Sequence, residues 1–339
     1  MKDIYLHIGM HKTGTSSIQE ALSSFNDNGI LYGDLLESNH SLAFYTLFSK
    51  NYLNYHVWLK RGFNIKEIKE KRKVYLTRIA NQLTDLSVKK IIFSAESIGL
   101  LEEDEKTSML LFFTQYGVRI NVICYVREPV SFAYSVFQED IRGGFTNIKE
   151  IYNPRYKYRL DVFKENPLVN ELIVRDYSSL VKKDVVSDLF ETLNLNSEAH
   201  NYNRENTRLS ISAMKLIYLV NKHIREYKCN QKLYDTRLYF NNVINKLYNK
   251  DHRLFSDHFK LNIDNSDINY LCKNFHINYN YCSNDDSNTC STILQWLEDL
   301  SDLDPVNLIN FANEKGIKYS KQEIDILALD IFNHYLLHL

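Results

Sequence analysis

Lys12 stands inside a short loop bounded by Gly9 and Gly14 and followed at once by Thr15, Ser16 and Ser17. A cation, two glycines and a row of hydroxyls where a helix should begin are the ingredients of a phosphate cradle. Unpaired backbone N–H groups and the positive end of the helix dipole meet there and attract an anion. The flanks agree. Ile4, Tyr5, Leu6 and Ile8 form an apolar run, and Ile18, Ala21, Leu22 and Phe25 recur at helical spacing, so the unit reads strand, loop, helix. The plain alternative is a surface turn ending in a helix cap.

Three further strand ends carry chemistry. Lys90–Ser94 is a second strand and runs into Ala95-Glu96-Ser97. The carboxyl ends of parallel strands line the ligand crevice of an α/β sheet, which puts Glu96 beside the loop. A carboxylate there can take the proton of an attacking hydroxyl; a helix cap or a structural ion pair is its other use. His7, His11 and His40 are reserve candidates for the same task. A third strand, Arg119–Val126, ends in Arg127-Glu128-Pro129, and the helix after it carries Ser135, eight residues beyond Arg127. An arginine leaving a strand end is a two-toothed donor to a phosphate, and a serine about two helical turns on can donate to the same group. A fourth strand, Leu172–Val174, leads to Arg175, Asp176 and Tyr177.

The loop keeps the G-x-x-x-x-G spacing of a Walker A motif, but Thr15 occupies the place where an NTPase needs lysine, and the lysine is at Lys12. His11-Lys12-Thr13-Gly14-Thr15-Ser16 resembles the 5′-phosphosulfate loop of the sulfotransferases that use 3′-phosphoadenosine 5′-phosphosulfate (PAPS). Arg127 with Ser135 resembles the 3′-phosphate motif of the same family. The resemblance covers roughly residues 1–220 and is dense only at these two motifs. It implies a P-loop-containing nucleotide hydrolase-like α/β sandwich, a mostly parallel central sheet flanked by helices. It also implies transfer of the sulfuryl group of PAPS to a hydroxyl, or alternatively an amine, of a carbohydrate acceptor such as a capsular or lipopolysaccharide sugar, leaving 3′-phosphoadenosine 5′-phosphate (PAP). On that resemblance His11, Lys12, Thr13, Gly14, Thr15, Ser16 and Ser17 surround the 5′ end of the nucleotide, and Lys12 also serves the bridging oxygen. Arg127 and Ser135 hold the 3′-phosphate, Tyr177 lies near the adenine, and Glu96 is the base. Arg204 and Arg208 belong to a turn resembling the loop that folds over the nucleotide, where they reach one phosphate or the other. Arg142, just before Gly143, falls near the acceptor. No metal is required, since no Walker B aspartate is evident and a sulfuryl group needs less charge neutralisation than a triphosphate.

The composition sets wider bounds. With 339 residues, 44% hydrophobic and 24% charged, and a formal net charge of −1, the chain suits one large α/β domain plus an appendage. The expected division is a PAPS-binding domain over 1–220 and a helical extension over 221–339 that walls the acceptor cleft, mediates a homodimer or is only structural. A near-neutral balance argues against general nucleic-acid or anionic-membrane binding. The five cysteines show no C-x-x-C pair and no zinc spacing. Cys124 reads as core, and a Cys282–Cys290 bridge is not expected without an export signal. The N-terminus enters a strand directly and no long apolar run follows, so the expectation is a cytoplasmic protein without a transmembrane segment.

Residues 26–88 read as mostly helical and polar. Within them His40 and Trp58 lie in stretches mixing aromatic and basic residues, which suit a sugar acceptor or else place the aromatics in the core. The basic run from Lys66 to Lys73 reads as an exposed helix face. Two rival functions stay open. A small-molecule phosphotransferase needs lysine directly after Gly14 and carboxylates for magnesium. A non-catalytic PAP- or PAPS-binding protein keeps Lys12 and Arg127 but needs no base.

Overall fold

The computed structural model describes every residue except 11, 24, 28, 181–183, 197–207, 225–230, 252, 281–286 and 339. Six strands form one sheet: β1 (Lys2–His7), β2 (Asn26–Asp27), β3 (Ile30–Tyr32), β4 (Lys90–Ser94), β5 (Val118–Val126) and β6 (Val169–Asp176). Their order is β2-β3-β4-β1-β5-β6, with β3, β4, β1, β5 and β6 parallel and β2 antiparallel at the edge. The helices, in chain order, are α1 (Thr15–Leu22), α2 (Ser41–Phe48), α3 (His56–Lys60), α4 (Ile65–Thr84), α5 (Glu103–Thr114), α6 (Pro129–Arg142) and α7 (Tyr156–Lys164). They continue with α8 (Val185–Thr192), α9 (Ile211–Ile224), α10 (Gln231–Leu247), α11 (Ser266–Phe275), α12 (Cys290–Glu298), α13 (Val306–Glu314) and α14 (Ile324–His338).

The chain divides into two compact units. The first is Met1–Glu128, Pro154–Glu205 and Ser266–Asn280; the second is Pro129–Asn153, Asn206–Asn265 and Tyr281–Leu339. The chain thus passes between units several times, where a single boundary after residue 220 was expected. Residues far apart in sequence pair across each unit, and linear composition carries no trace of that.

The first unit is built by strand alternation. Ile4, Leu6, Ile8, Phe93, Val122 and Cys124 are buried on one face of the sheet with Phe44, Ile79, Phe113 and Leu160 from α2, α4, α5 and α7. Ile92, Ile123 and Tyr125 face the other way and pack with Ile18, Leu22, Val186 and Leu189 from α1 and α8. Side chains of a strand alternate between faces, so a sheet covered on both sides needs apolar residues at nearly every position. Helix α4 starts at a capping box in which Asn64 Oδ1 accepts from Lys66 and Glu67 N–H groups at 3.0 and 3.1 Å. It buries Ile68, Tyr75, Ile79 and Leu83 and leaves Lys66, Lys69, Arg72 and Lys73 exposed. The stretch 26–88 is not purely helical: β2 and β3 form a short hairpin in it, turned at Gly29 with φ 80°.

The second unit is helical. Its central element is α9, buried around its circumference, with neighbours α6, α10, α12 and α14. Lys215 on α9 is 2% exposed, and its ammonium donates to Asp299 O at 2.6 Å and Asp302 Oδ1 at 2.7 Å. Asp251 accepts from Ser212 N–H at 2.9 Å and Ser212 Oγ–H at 2.7 Å in the first turn of α9. There Arg253 holds the Asp251 carboxyl far below the carboxylate range, against the opposing effect of burial. No helix among the described residues is long and apolar enough to cross a membrane.

Candidate functional site

Four neighbouring parallel strands, β4, β1, β5 and β6, end at the same edge of the sheet. Each delivers a group singled out by its chemistry: Glu96, the Gly9–Gly14 loop, Arg127 and Tyr177. After β1 the chain lays β3 and β4 on one side and then β5 and β6 on the other. This edge is therefore the topological switch point, where open α/β sheets hold their ligands.

The loop is tightly built. Its backbone is left-handed at Lys12 (φ 65°) and at Gly14 (φ 76°), which is the N-cap of α1. A lysine held there costs about 1–2 kcal/mol, the kind of strain that collects at ligand sites. Thr13 Oγ1 and Thr15 Oγ1 both donate to Met10 O, at 2.9 and 3.1 Å, and both residues are buried. Those hydroxyls serve the loop itself, so the outward donors are the backbone N–H groups of the first turn of α1 together with half-buried Ser17 and exposed Ser16. His11 lies outside the described residues.

Gly9 is required by close approach. A methyl built on it would stand 2.5 Å from Thr15 Cγ2 and 2.7 Å from Glu96 Cγ. Glu96 therefore packs directly against the loop, as its strand-end position demands. It opens a 3₁₀ turn, Glu96–Leu100, and its N–H donates to Ser41 Oγ at 2.9 Å. Gly9→Ala should cost about 1–3 kcal/mol, because Thr15 or Glu96 must move to admit the methyl. Urea unfolding measures the loss, and an unchanged midpoint would show that the loop yields freely.

Arg127 joins the same cluster. Its Nη1 donates to Lys12 O at 2.9 Å, and its guanidinium carbon lies 5.8 Å from the Tyr177 ring centroid. Tyr177 in turn lies 3.6 Å from where a methyl on Gly14 would stand. Burial lowers the Arg127 pKa from the usual arginine value, opposed by Tyr177, Tyr156 and Glu128. The guanidinium remains charged at neutral pH.

Ser135 is on α6, Arg142 at its end and Arg208 before α9, all in the second unit. Arg142 Nη1 is 3.8 Å from Glu139 Oε2. Arg208 Nη2 donates to Arg253 O at 3.1 Å, with the guanidinium 4.7 Å from the Phe255 ring centroid. Arg204 lies outside the described residues.

Two expected acceptor contacts are core residues instead. Trp58 is 1% exposed and donates through Nε1 to Thr46 Oγ1 at 2.9 Å. His40 is 1% exposed, stacks on Tyr32 and accepts through Nδ1 from Ser94 N–H at 3.1 Å. An aromatic with a polar handle buries the ring and pairs the handle: Trp58 does so fully, and His40 does so at Nδ1. His7 is equally buried and shares a 2.8 Å hydrogen bond between Nδ1 and Ser94 Oγ. Among the described residues no group of His, Cys, Asp and Glu is arranged to hold a metal ion.

Two residues of the site were not read from sequence. Tyr156 clamps the Arg127 backbone: its hydroxyl accepts from Arg127 N–H at 2.8 Å and donates to Arg127 O at 2.5 Å. Arg159, one turn further along α7, is 7% exposed. The available signal was an arginine on the buried stripe formed by Tyr156, Leu160 and Phe163.

No family model matches the chain, and no curated protein matches it. Among solved structures, a chain from the molecular and structural characterization of the PezAT chromosomal toxin-antitoxin system of the human pathogen Streptococcus pneumoniae is similar at 11% identity and a TM-score of 0.31. The likeness covers 71% of this chain and 87% of that one, and at that score it carries no argument.

Proposed function

We propose that this protein is a PAPS-dependent sulfotransferase with a P-loop-type cradle, acting on a hydroxyl of a carbohydrate acceptor. The observation that best supports this is the bond from Arg127 Nη1 to Lys12 O, which gathers two cationic residues into one cluster while Glu96 packs on Gly9. Lys12 and the first N–H groups of α1 suit the 5′ end of the nucleotide. Arg127 suits its second anionic end, as a guanidinium held beside the loop at the end of β5. The crowding at Gly9 and the left-handed Gly14 fit a backbone that comes close to an anion. When bound, the donor supplies the sulfuryl group.

The residues of the chain do the rest. Glu96 accepts the proton of the acceptor hydroxyl as it attacks. Lys12 and the N–H groups of Gly14 to Ser16 stabilise the negative charge that grows on the departing oxygen. Tyr156 keeps Arg127 in place, and Tyr177 offers a ring beside it.

Nucleotide preference tests the assignment. PAP at 100 times its Kd should stabilise the fold by about 2.7 kcal/mol, a rise of about 4 °C in Tm, whereas magnesium-ATP at equal concentration should shift it by less than about 1 °C. Equal stabilisation by magnesium-ATP would favour the phosphotransferase.

A further inference from the structure

Arg127 follows β5 directly, and Glu128, the next residue, is the last before the chain leaves the first unit. The chain re-enters that unit at Pro154 and, after a second departure, at Ser266. The residues after Glu128 therefore do not anchor the arginine within its own unit. That task falls to the two segments that return.

Their bonds form one unbroken series. Asp267, in the first turn of α11, is buried, and its carboxylate accepts from two backbone groups. Oδ1 takes the Tyr156 N–H at 2.6 Å and Oδ2 the Arg155 N–H at 2.8 Å. The Tyr156 hydroxyl then bonds both the N–H and the carbonyl of Arg127, and Arg127 Nη1 donates to Lys12 O. Every step from α11 to the loop is a hydrogen bond between named atoms of the first unit.

The start of α7 explains why a distant carboxylate is needed. Its N-cap is Arg155, left-handed at φ 58° and without a capping bond from its own side chain. A guanidinium has only donors, so it cannot accept from the first N–H groups of a helix. Asp267 supplies the missing acceptor, more than a hundred residues along the chain, and a negative charge there also suits the helix dipole. Tyr156 is at once the residue that Asp267 caps and the residue that grips Arg127.

We propose that Asp267 is a positioning residue for the anion that Arg127 binds. Its carboxylate fixes the first residue of α7, and through the Tyr156 hydroxyl it fixes the backbone from which the guanidinium extends. A fork of donors serves a phosphate only when its direction is set, since both teeth must meet oxygens of one group. The inference rests on the reading of Arg127 as the ligand of the 3′-phosphate.

Calorimetry of the full chain with PAP and with adenosine 5′-monophosphate, which lacks the 3′-phosphate, tests it. The ratio of the two Kd values reads the 3′-phosphate alone. Asp267→Asn keeps the shape of the side chain but turns an NH₂ group towards one of the two N–H donors. It should weaken PAP by about tenfold and leave the monophosphate within about twofold. Tyr156→Phe, which leaves the cap and deletes the grip, should lower the preference for PAP to a similar extent. A merely structural Asp267 would lower Tm without moving the ratio. That outcome, or an equal loss of both ligands, would overturn the inference and leave the sulfotransferase assignment intact. An undiminished preference in Tyr156→Phe would overturn it as well, whether or not Asp267→Asn folds. A parent protein that binds PAP no better than the monophosphate would remove the reading of Arg127 first, and this role with it.

Discussion

Glu96→Gln should lower the rate of sulfate transfer by about 10²–10⁴-fold while leaving PAP binding within about threefold. The substitution is close to isosteric, so the side chain can still pack on Gly9 and the backbone N–H can still donate to Ser41 Oγ. What it removes is the capacity to accept a proton. A residue that acts only on the acceptor hydroxyl in the transition state changes kcat and not donor affinity. Steady-state kinetics with a sulfated product as readout, alongside calorimetry with PAP, separates these quantities. Transfer at the parental rate would exclude Glu96 as base, and His7 and His40 could not easily replace it, since both are buried with their Nδ1 atoms engaged at Ser94. A fall in PAP affinity matching the fall in rate would instead make Glu96 part of the binding surface.

Much of the first unit was legible because its physics is local. The apolar runs of β1, β4 and β5 announce themselves, and the residue after each is a glycine, an Ala-Glu pair or an arginine. Parallel strands then force those termini to one edge, so adjacency of Gly9, Glu96 and Arg127 follows from strand direction alone. The hairpin of β2 and β3 was not legible: two and three residues hold no period to read. His40 and Trp58 carry side chains that serve a sugar site and a core equally well, and only tertiary packing decides between them. Arg159 was hidden for the opposite reason. A charged residue on an apolar helix stripe looks like a surface position until α7 is seen against the 3₁₀ turn. The division into units escapes sequence because α6 and α11 each pack with a partner more than a hundred residues away, Tyr134 with Phe259 and Asp267 with Tyr156.

The stability of the fold should decline steeply as pH falls from about 6.5 to about 4.5, before most carboxylates titrate. Burial lowers the pKa of His7 from 6.5 to about 3 and that of His40 to about 4. Both rings are therefore neutral in the folded protein across that window, whereas the unfolded chain protonates them below its ordinary value. The unfolded state binds more protons, so stability is complete above about pH 6.5 and is lost on acidification towards the folded pKa values. Each ring contributes a slope of roughly 1.4 kcal/mol per pH unit, so the pair contributes up to about 5 kcal/mol over two units, comparable with the whole stability of many domains. Burial makes the cost hard to avoid. The Nε2 atoms of both rings lack a hydrogen-bond partner among the described residues, and Ser94 already engages both Nδ1 atoms. Urea unfolding at a series of pH values measures the slope directly. The double variant His7→Gln/His40→Gln should be less stable at pH 7 through lost packing, yet its stability should vary little over the same window. A parent slope near zero would mean that the rings gain their protons without unfolding. The end of β4, between Glu96 and the loop, would then be able to accommodate charge that its burial argues against.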